Sequence, residues 1–316
     1  LLLDGRKDGR ICGGVVFHVL DTMKLYQECL DIHLASFIRK RLSGNIICIT
    51  KIFGTENLIE NNGMTALTEM LASCQAEGYS YAICLEDIPN AGLLNANGFV
   101  KTVEYPNCRM VDMRRPMVMI YDNYAYIREP FSDDAVLQKT LWNCRVRLQE
   151  AMRDLYPGNL ILNFDSDILN HRLVQLIKKA NSVSDIRENG EVCGPKLCVP
   201  FGKILKSEII PNTVTKELCT EKRYNEDLSD FEIHEFPHHA SLRTQVRTLH
   251  SFGRPVILVD DLFHKGYRRD KINEVLKEEQ VEVSDFIVGI LSGRGQDMAW
   301  ERGEKIRSAY FIPNMR

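Results

Sequence analysis

The residues best placed to do chemistry lie in one run near the C-terminus: Val256-Ile257-Leu258-Val259-Asp260-Asp261-Leu262-Phe263-His264-Lys265-Gly266-Tyr267-Arg268. Four apolar, mostly β-branched residues predict a central parallel strand buried on both faces. Two acids stand where that strand should end, and open α/β sheets bind ligands off the carboxyl ends of their strands. Paired carboxylates can hold vicinal sugar hydroxyls or orient Mg²⁺-bound water. A short loop containing Gly266 follows, then a helix with Ile272, Val275 and Leu276 inward, whose first-turn amides can hold a phosphate. One strand–loop–helix unit can thus address a ribose 5-phosphate at both ends. The alternative is an exposed strand-end turn with no ligand.

The elements around this run must position it. Asn159–Phe164 reads as a strand, and Asp165-Ser166-Asp167 supplies capping chemistry for a helix over Ile168–Ala180. Glu191–Phe201 reads as a strand broken by Gly194-Pro195. Thr213–Thr220 and Phe231–Phe236 alternate like a strand pair, and Ser241–Ser251 is helical. Phe286–Leu291 and Arg307–Ile312 complete the sheet, and Ser292-Gly293-Arg294-Gly295 between them suits an anion nest. His234, His238 and His239 have near-ligand spacing without a further clustered ligand, so they read as surface groups. Trp142 and Trp300 are expected in the core.

The strand–Asp-Asp–loop–Gly–helix unit resembles the PRPP-binding signature of type I phosphoribosyltransferases. The likeness spans residues 157–316 and is greatest to the phosphoribosyltransferase-like domains of uncharacterised bacterial multidomain proteins. It implies a Rossmann-like parallel sheet and Mg²⁺-dependent phosphoribosyl transfer from PRPP or a related ribose 5-phosphate compound. In that reading Asp260 and Asp261 steady the ribose and reach Mg²⁺ only through water. His264, Lys265, Gly266, Tyr267 and Arg268 hold the 5-phosphate. Lys222 or Arg223, in a stretch (Thr215–Tyr224) matching the family's mobile loop, closes over the departing pyrophosphate. Lys216 and Lys203 stand on the pyrophosphate side, and Arg294 near the acceptor. One departure bears on function: His-Lys-Gly-Tyr-Arg replaces the usual Thr-Thr-Gly-x-Thr, so fixed cations stand where hydroxyls cradle the phosphate. That loop also suits a module that senses a nucleotide or phosphoribosyl compound without turnover.

In the first half, Arg10–Leu20, Asn45–Phe53, Tyr79–Leu85, Phe99–Val103 and Cys108–Tyr121 read as strands. Tyr26–Leu42 and Asn62–Gln75 read as helices, and Ala91–Asn97 as a short helix ending at Gly98. The short helix closing in Gly98-Phe99 between two strands resembles the C-terminal half of the GNAT acyltransferase fold. The resemblance implies a mixed sheet that splays to admit acyl-CoA. The stretch Lys51–Gly63 lacks the family's Gln/Arg-x-x-Gly-x-Gly/Ala loop and carries Glu56 and Glu60, which repel phosphate. The domain therefore reads as a degenerate GNAT-like fold kept for packing or other binding. N-acyl transfer with acetyl-CoA is a second alternative function.

The 316 residues suggest two α/β domains: a GNAT-like domain over 1–122, a helical linker over 123–156 striped by Leu137, Leu141, Cys144, Leu148 and Met152, and a phosphoribosyltransferase-like domain over 157–316. Hydrophobic residues at 44% and charged residues at 26% exclude long disorder, and no apolar run is long enough to span a membrane. A net charge of −3 gives no general field for nucleic acid. Ten scattered cysteines without a Cys-x-x-Cys pair suit reduced thiols, and a cytoplasmic location is expected. The opening Leu1-Leu2-Leu3-Asp4 suggests a piece of a longer chain, truncated within or just before the first domain. Expected partners are PRPP or a nucleotide-like small molecule, a second copy in a homodimer, and preceding domains of the same chain, with no nucleic acid and no membrane.

Overall fold

Runs of β-branched residues become strands wherever the computed structural model describes the chain, which is residues 2–5, 10–29, 31–54, 64–85, 88, 91–121, 127, 129–184, 193–205 and 210–316. The architecture is mixed α/β in two units, Leu1–Ser166 and Asp167–Asn314. No helix among the described residues is long and apolar enough to cross a membrane.

The first unit holds β1 (Leu2–Gly5), β2 (Arg10–Val19), α1 (Thr22–Glu28), α2 (Ile32–Arg41), β3 (Asn45–Gly54), α3 (Met64–Ala76), β4 (Tyr79–Cys84), α4 (Ala91–Ala96), β5 (Val100–Lys101), β6 (Arg109–Tyr121), α5 (Ala135–Leu155) and β7 (Asn159–Asp165). The single helix expected over Tyr26–Leu42 is two helices. Asp21 caps α1 by accepting from the Lys24 amide, Asp31 caps α2 by accepting from the His33 amide, and the chain is extended at Cys29 between them. The sheet runs β1-β2-β3-β4-β6-β5, with β7 added to β6. β3 and β4 pair in parallel only over Asn45–Cys48 and Tyr79–Ile83, while β3 continues along β2 to Gly54. Residues 55–63, which hold most of the stretch compared with an acyl-CoA loop, lie outside the described residues.

The boundary expected at Pro157-Gly158 falls at Ser166/Asp167 instead. The reason is physical. β7 pairs in parallel with β6 from Asp112↔Asn159 to Tyr121↔Asp165, and a buried polar network binds it to its own unit. The Asn97 side-chain amide donates to Thr68 Oγ1 (2.9 Å) and to the Ile161 carbonyl (2.6 Å). The Asn163 amide side chain donates to the Ala96 carbonyl (2.9 Å) and accepts from the Tyr121 hydroxyl (3.0 Å). The helix expected as a linker also belongs here: Arg145 of α5 pairs with Asp165 at 3.4 Å and stacks over the Tyr121 ring at 4.2 Å.

The second unit holds α6 (Ser166–Asn181), β8 (Leu197–Pro200), β9 (Val214–Thr215), β10 (Thr220–Tyr224), β11 (Phe231–Glu235), α7 (Leu242–Ser251), β12 (Val256–Phe263), α8 (Tyr267–Glu278), β13 (Val283–Ser292), α9 (Gly293–Glu301) and β14 (Ile306–Ile312). Its five-stranded sheet runs β14-β13-β12-β8-β9, and every pairing is parallel. Numbered within the unit, that order is 2-1-3-4-5, a doubly wound sheet whose direction reverses between β8 and β12. Leu242, Val246 and Leu249 of α7 and Ile272 and Leu276 of α8 join Val256 and Leu258 in one core cluster. On the other face Leu169 of α6 comes so close to Gly289 of β13 that a Cβ there would lie 2.9 Å from it.

The strand pair expected between Thr213–Thr220 and Phe231–Phe236 is rearranged. β9 joins the parallel sheet beside β8, and the partner of β11 is β10, with Lys222 opposite Ile233. Gly202–Leu205 form a bend followed by a turn. Trp300 is 81% exposed rather than buried.

Gly98 is where the first unit closes. Its φ is +90°, and a Cβ there would stand 2.0 Å from the Asn159 carbonyl oxygen. Gly98→Ala is therefore expected to destabilise the first unit by at least about 2 kcal/mol. Equilibrium denaturation checks this, and a loss within measurement error contradicts the tight β7 docking.

Candidate functional site

The Asp-Asp pair lies at the reversal point of the parallel sheet. β8 pairs with β12 only as far as Pro200↔Val259, with one further bond from the Phe201 amide to the Val259 carbonyl. β12 runs on beside β13 to Phe263↔Leu291. The acids thus sit within the second half of an eight-residue strand rather than beyond a four-residue one. This changes what they can do together. Neighbouring residues on a strand point to opposite faces, and the two carboxyl groups part.

Asp261 turns to the segment that follows β8. Its two oxygens accept from the backbone amides of Lys203 (2.6 Å) and Ile204 (3.1 Å). Gly202 makes room for it, since a Cβ there would lie 2.4 Å from Asp261 Oδ1. Asp260 turns toward α8, where Arg268 Nη1 stands 3.7 Å from its Oδ1 and donates to the Phe201 carbonyl at 3.2 Å. Arg268 Nε is buried with no hydrogen-bond partner. So Arg268, expected on a 5-phosphate, faces inward between β8 and β12.

Burial, with the Asp261 charge beside it, pushes the Asp260 carboxyl up to about 7, against the pull of Arg268 and the Asp261 amide. Burial also raises Asp261, moderated by its two amides and by Arg268 and Lys203. A carboxyl group that changes charge near neutrality can accept or share a proton with a ligand, or take a cation in its place.

Beyond Phe263 the chain needs only His264, Lys265 and Gly266 to reach α8. Gly266 takes φ +72° as the residue before the helix, packed over Phe263 and Met298. His264 Nδ1 lies 2.9 Å from Ser292 Oγ, which also accepts from the Gly295 amide. Partial burial first, then Arg294 and Lys265, hold His264 below its ordinary value, so it is neutral at neutral pH. Lys265 and Arg294 are both exposed, and neither has an ion-pair partner among the described residues. Together they form a cationic corner beside the start of α8. The expected nest at Ser292–Gly295 is the capped start of α9. Its glycines serve close packing: a Cβ on Gly293 would stand 1.9 Å from the Pro313 carbonyl, and one on Gly295 2.5 Å from that of Phe263.

Within the stretch matched to the family's mobile loop, Thr220–Tyr224 is strand β10, paired antiparallel with β11 in a hairpin. Tyr224, Phe231 and Tyr267 form an aromatic chain with centroids 5.5 and 5.3 Å apart, which docks β11 against the start of α8. Lys222 shares that face, its ammonium 4.4 Å from the Phe231 ring centre. Arg223 lies on the opposite face beside Glu221 at 3.6 Å. Lys222 is thus on the side of the candidate site and Arg223 is not. Lys216 is exposed after β9, its amide bonded to the Cys198 carbonyl, and the Lys203 side chain is exposed while its amide serves Asp261. The contact of Ser292 with His264 and the room that Gly202 leaves for Asp261 are not legible in the sequence. Their only signals were a polar residue and a glycine at the ends of buried strands.

No family model matches the chain, and no curated protein matches it. Among solved structures, the chain is similar to a purine phosphoribosyltransferase from Pyrococcus horikoshii Ot3 at 11% identity and TM-score 0.29, over 47% of this chain and 83% of that one. It is similar to a protein from Aquifex aeolicus at 14% identity and TM-score 0.29, over 46% of this chain and 72% of that one. Both likenesses are too slight to assign the fold or a function.

The raised Asp260 value sets a pH dependence. In the unfolded chain the group ionises near 3.8; in the folded chain it stays neutral until about 7. Its burial therefore costs nothing below the lower value, and stability falls as pH rises through this window. Asp260→Asn removes the charge while keeping an acceptor for the Asp261 amide. It is expected to raise the melting temperature by several degrees at pH 8, with the gain shrinking steadily toward pH 4. A gain that is flat with pH contradicts the assignment.

Proposed function

We propose that the second unit binds a phosphorylated ribose at the carboxyl ends of β8, β12 and β13, and that its activity is phosphoribosyl transfer from PRPP or a related ribose 5-phosphate compound. One observation carries this reading: Asp260 and Asp261 lie on the strand at the reversal point of a parallel sheet, and just past that strand Lys265 and Arg294, without an ion-pair partner among the described residues, both act on His264 before the first turn of a helix. In this proposal the 5-phosphate lies on the cationic corner, with the α8 amides behind it. Arg268 has the different task of holding Asp260 and the end of β8. Asp260, facing the ribose, accepts from its hydroxyls, and Lys222 lies on the hairpin face that can approach the leaving group.

The donor chemistry suits Mg²⁺ in one respect: the carboxylates of Asp260 and Asp261 are hard oxygen ligands. Both Asp261 oxygens already accept amides, so contact through water is the form these residues allow. When bound, Mg²⁺ would neutralise charge on a diphosphate. The chain's own residues orient the sugar, fix the phosphate and offset the negative charge that develops as the C1–oxygen bond breaks. A single well-placed donor contributes roughly 3–4 kcal/mol to such a step.

A second reading is binding without turnover, a sensor of a nucleotide or phosphoribosyl compound. It is favoured by the amides of Lys203 and Ile204. These belong to the turn expected to meet pyrophosphate, and they already hold the Asp261 carboxylate.

Titration calorimetry with PRPP and Mg²⁺ tests the site. Saturable binding is expected, weakened roughly tenfold or more by Lys265→Ala and by Arg294→Ala. No binding by the wild-type chain ends the proposal. Pyrophosphate release assayed over a panel of nucleobases then separates the readings: release supports transfer, and binding without release supports sensing.

A further inference from the structure

A second cluster of ligating side chains lies in the first unit, in a place no motif announces. His18 of β2 and Cys48 of β3 are direct partners in the antiparallel register, so their side chains share one face. Glu28, the last residue of α1, comes over that face, and its Oε2 lies 2.7 Å from His18 Nε2. One ligand atom from each of His18, Glu28 and Cys48 lies within 4.8 Å of the other two. The cluster is graded from inside to outside. Cys48 is 2% exposed, whereas the His18 and Glu28 side chains are 29% and 35% exposed. Cys29, next to Glu28, belongs to the same buried cluster as Cys48.

We infer that His18, Glu28 and Cys48 form a site for a thiophilic divalent cation of the Zn²⁺ type. An imidazole, a carboxylate and a sulfur ligand suit Zn²⁺ and its neighbours rather than Mg²⁺ or Ca²⁺, which take oxygen. A thiolate and a carboxylate together cancel the charge of a divalent ion, so the occupied centre is neutral at the edge of an apolar core. A tetrahedral ion would draw the three atoms to roughly 3.5 Å from one another. The two ligands on the solvent side have the freedom to make that adjustment, and the open side leaves a fourth position for water. An ordinary surface pair between His18 and Glu28 would give no reason for a buried thiol to lie within ligand reach of both.

Co²⁺ titrated into the full metal-free chain, followed by Zn²⁺, tests this. One equivalent of Co²⁺ should produce a sulfur-to-cobalt charge-transfer band and the intense visible absorption of a four-coordinate ion, and Zn²⁺ should bleach both. Cys48→Ser should abolish the charge-transfer band. Cys144→Ser, at an exposed thiol of the same unit, should leave it unchanged. Glu28→Gln and His18→Gln, both at the surface side, should weaken Co²⁺ binding at least roughly tenfold. The inference is overturned if the wild-type chain shows no sulfur band at one equivalent, or if the band survives in Cys48→Ser. Where Cys48→Ser fails to fold by circular dichroism, the surface variants decide, and unchanged Co²⁺ affinity in both overturns it.

Discussion

A carboxylate held by two backbone amides joins the two strands between which a doubly wound sheet changes direction. Asp261 reaches across from β12 to the amides of Lys203 and Ile204, in a space that only Gly202 leaves open. The rest of the second unit follows from this contact. It fixes the segment after β8 at the end of β12, and it brings the Phe201 carbonyl to Arg268. Arg268 in turn is held near Asp260, the group that bears most of the burial. Charged groups are placed in a sheet interior at a free-energy penalty unless they are partnered. Here the partnering is incomplete, since Arg268 keeps a buried, unpartnered Nε and stands 3.7 Å from Asp260. Incomplete satisfaction of this kind is more common at sites that bind than at sites that only pack.

The charges at the end of the sheet separate by role. Those pointing inward, Asp260, Asp261 and Arg268, bind the strands together, and burial raises the two acids. Those pointing outward, Lys265 and Arg294, have no partners among the described residues and flank a neutral histidine. The hairpin adds Lys222 from the side through an aromatic contact rather than through a flexible loop. Such a hairpin presents its cation in a fixed direction with little loss of freedom when a ligand arrives, which favours recognition.

The first unit shows the same economy in a different form. Its buried amides, Asn97 and Asn163, tie α3, the end of α4 and β7 into one body. Its buried thiols line a core of aliphatic residues, and one of them comes under a histidine and a glutamate on the surface. The thiols are otherwise inert by burial: Cys48 and Cys108 are both pushed up to about 12. Cys29, Cys48 and Cys108, far apart in sequence, meet in one buried cluster.

Much of the local structure was determined by the sequence itself. Strand and helix positions followed from the apolar periods, since one face of each element had to be buried. The acid pair on β12, the glycine before α8 and the parallel run Val256–Val259 were legible for the same reason. Where elements belonged was decided only by tertiary structure. Nothing in Asn159–Asp165 says that it pairs with β6, because a buried strand looks alike in either sheet. Nor does an Asp-Asp pair reveal that the strand continues past it and turns the two carboxyl groups to opposite faces. The division of Lys222 from Arg223 and the meeting of His18 with Cys48 likewise depend on register. A residue's chemistry is written in its type, but its neighbours across a sheet are set by long-range pairing, and that information is carried by no short stretch of chain.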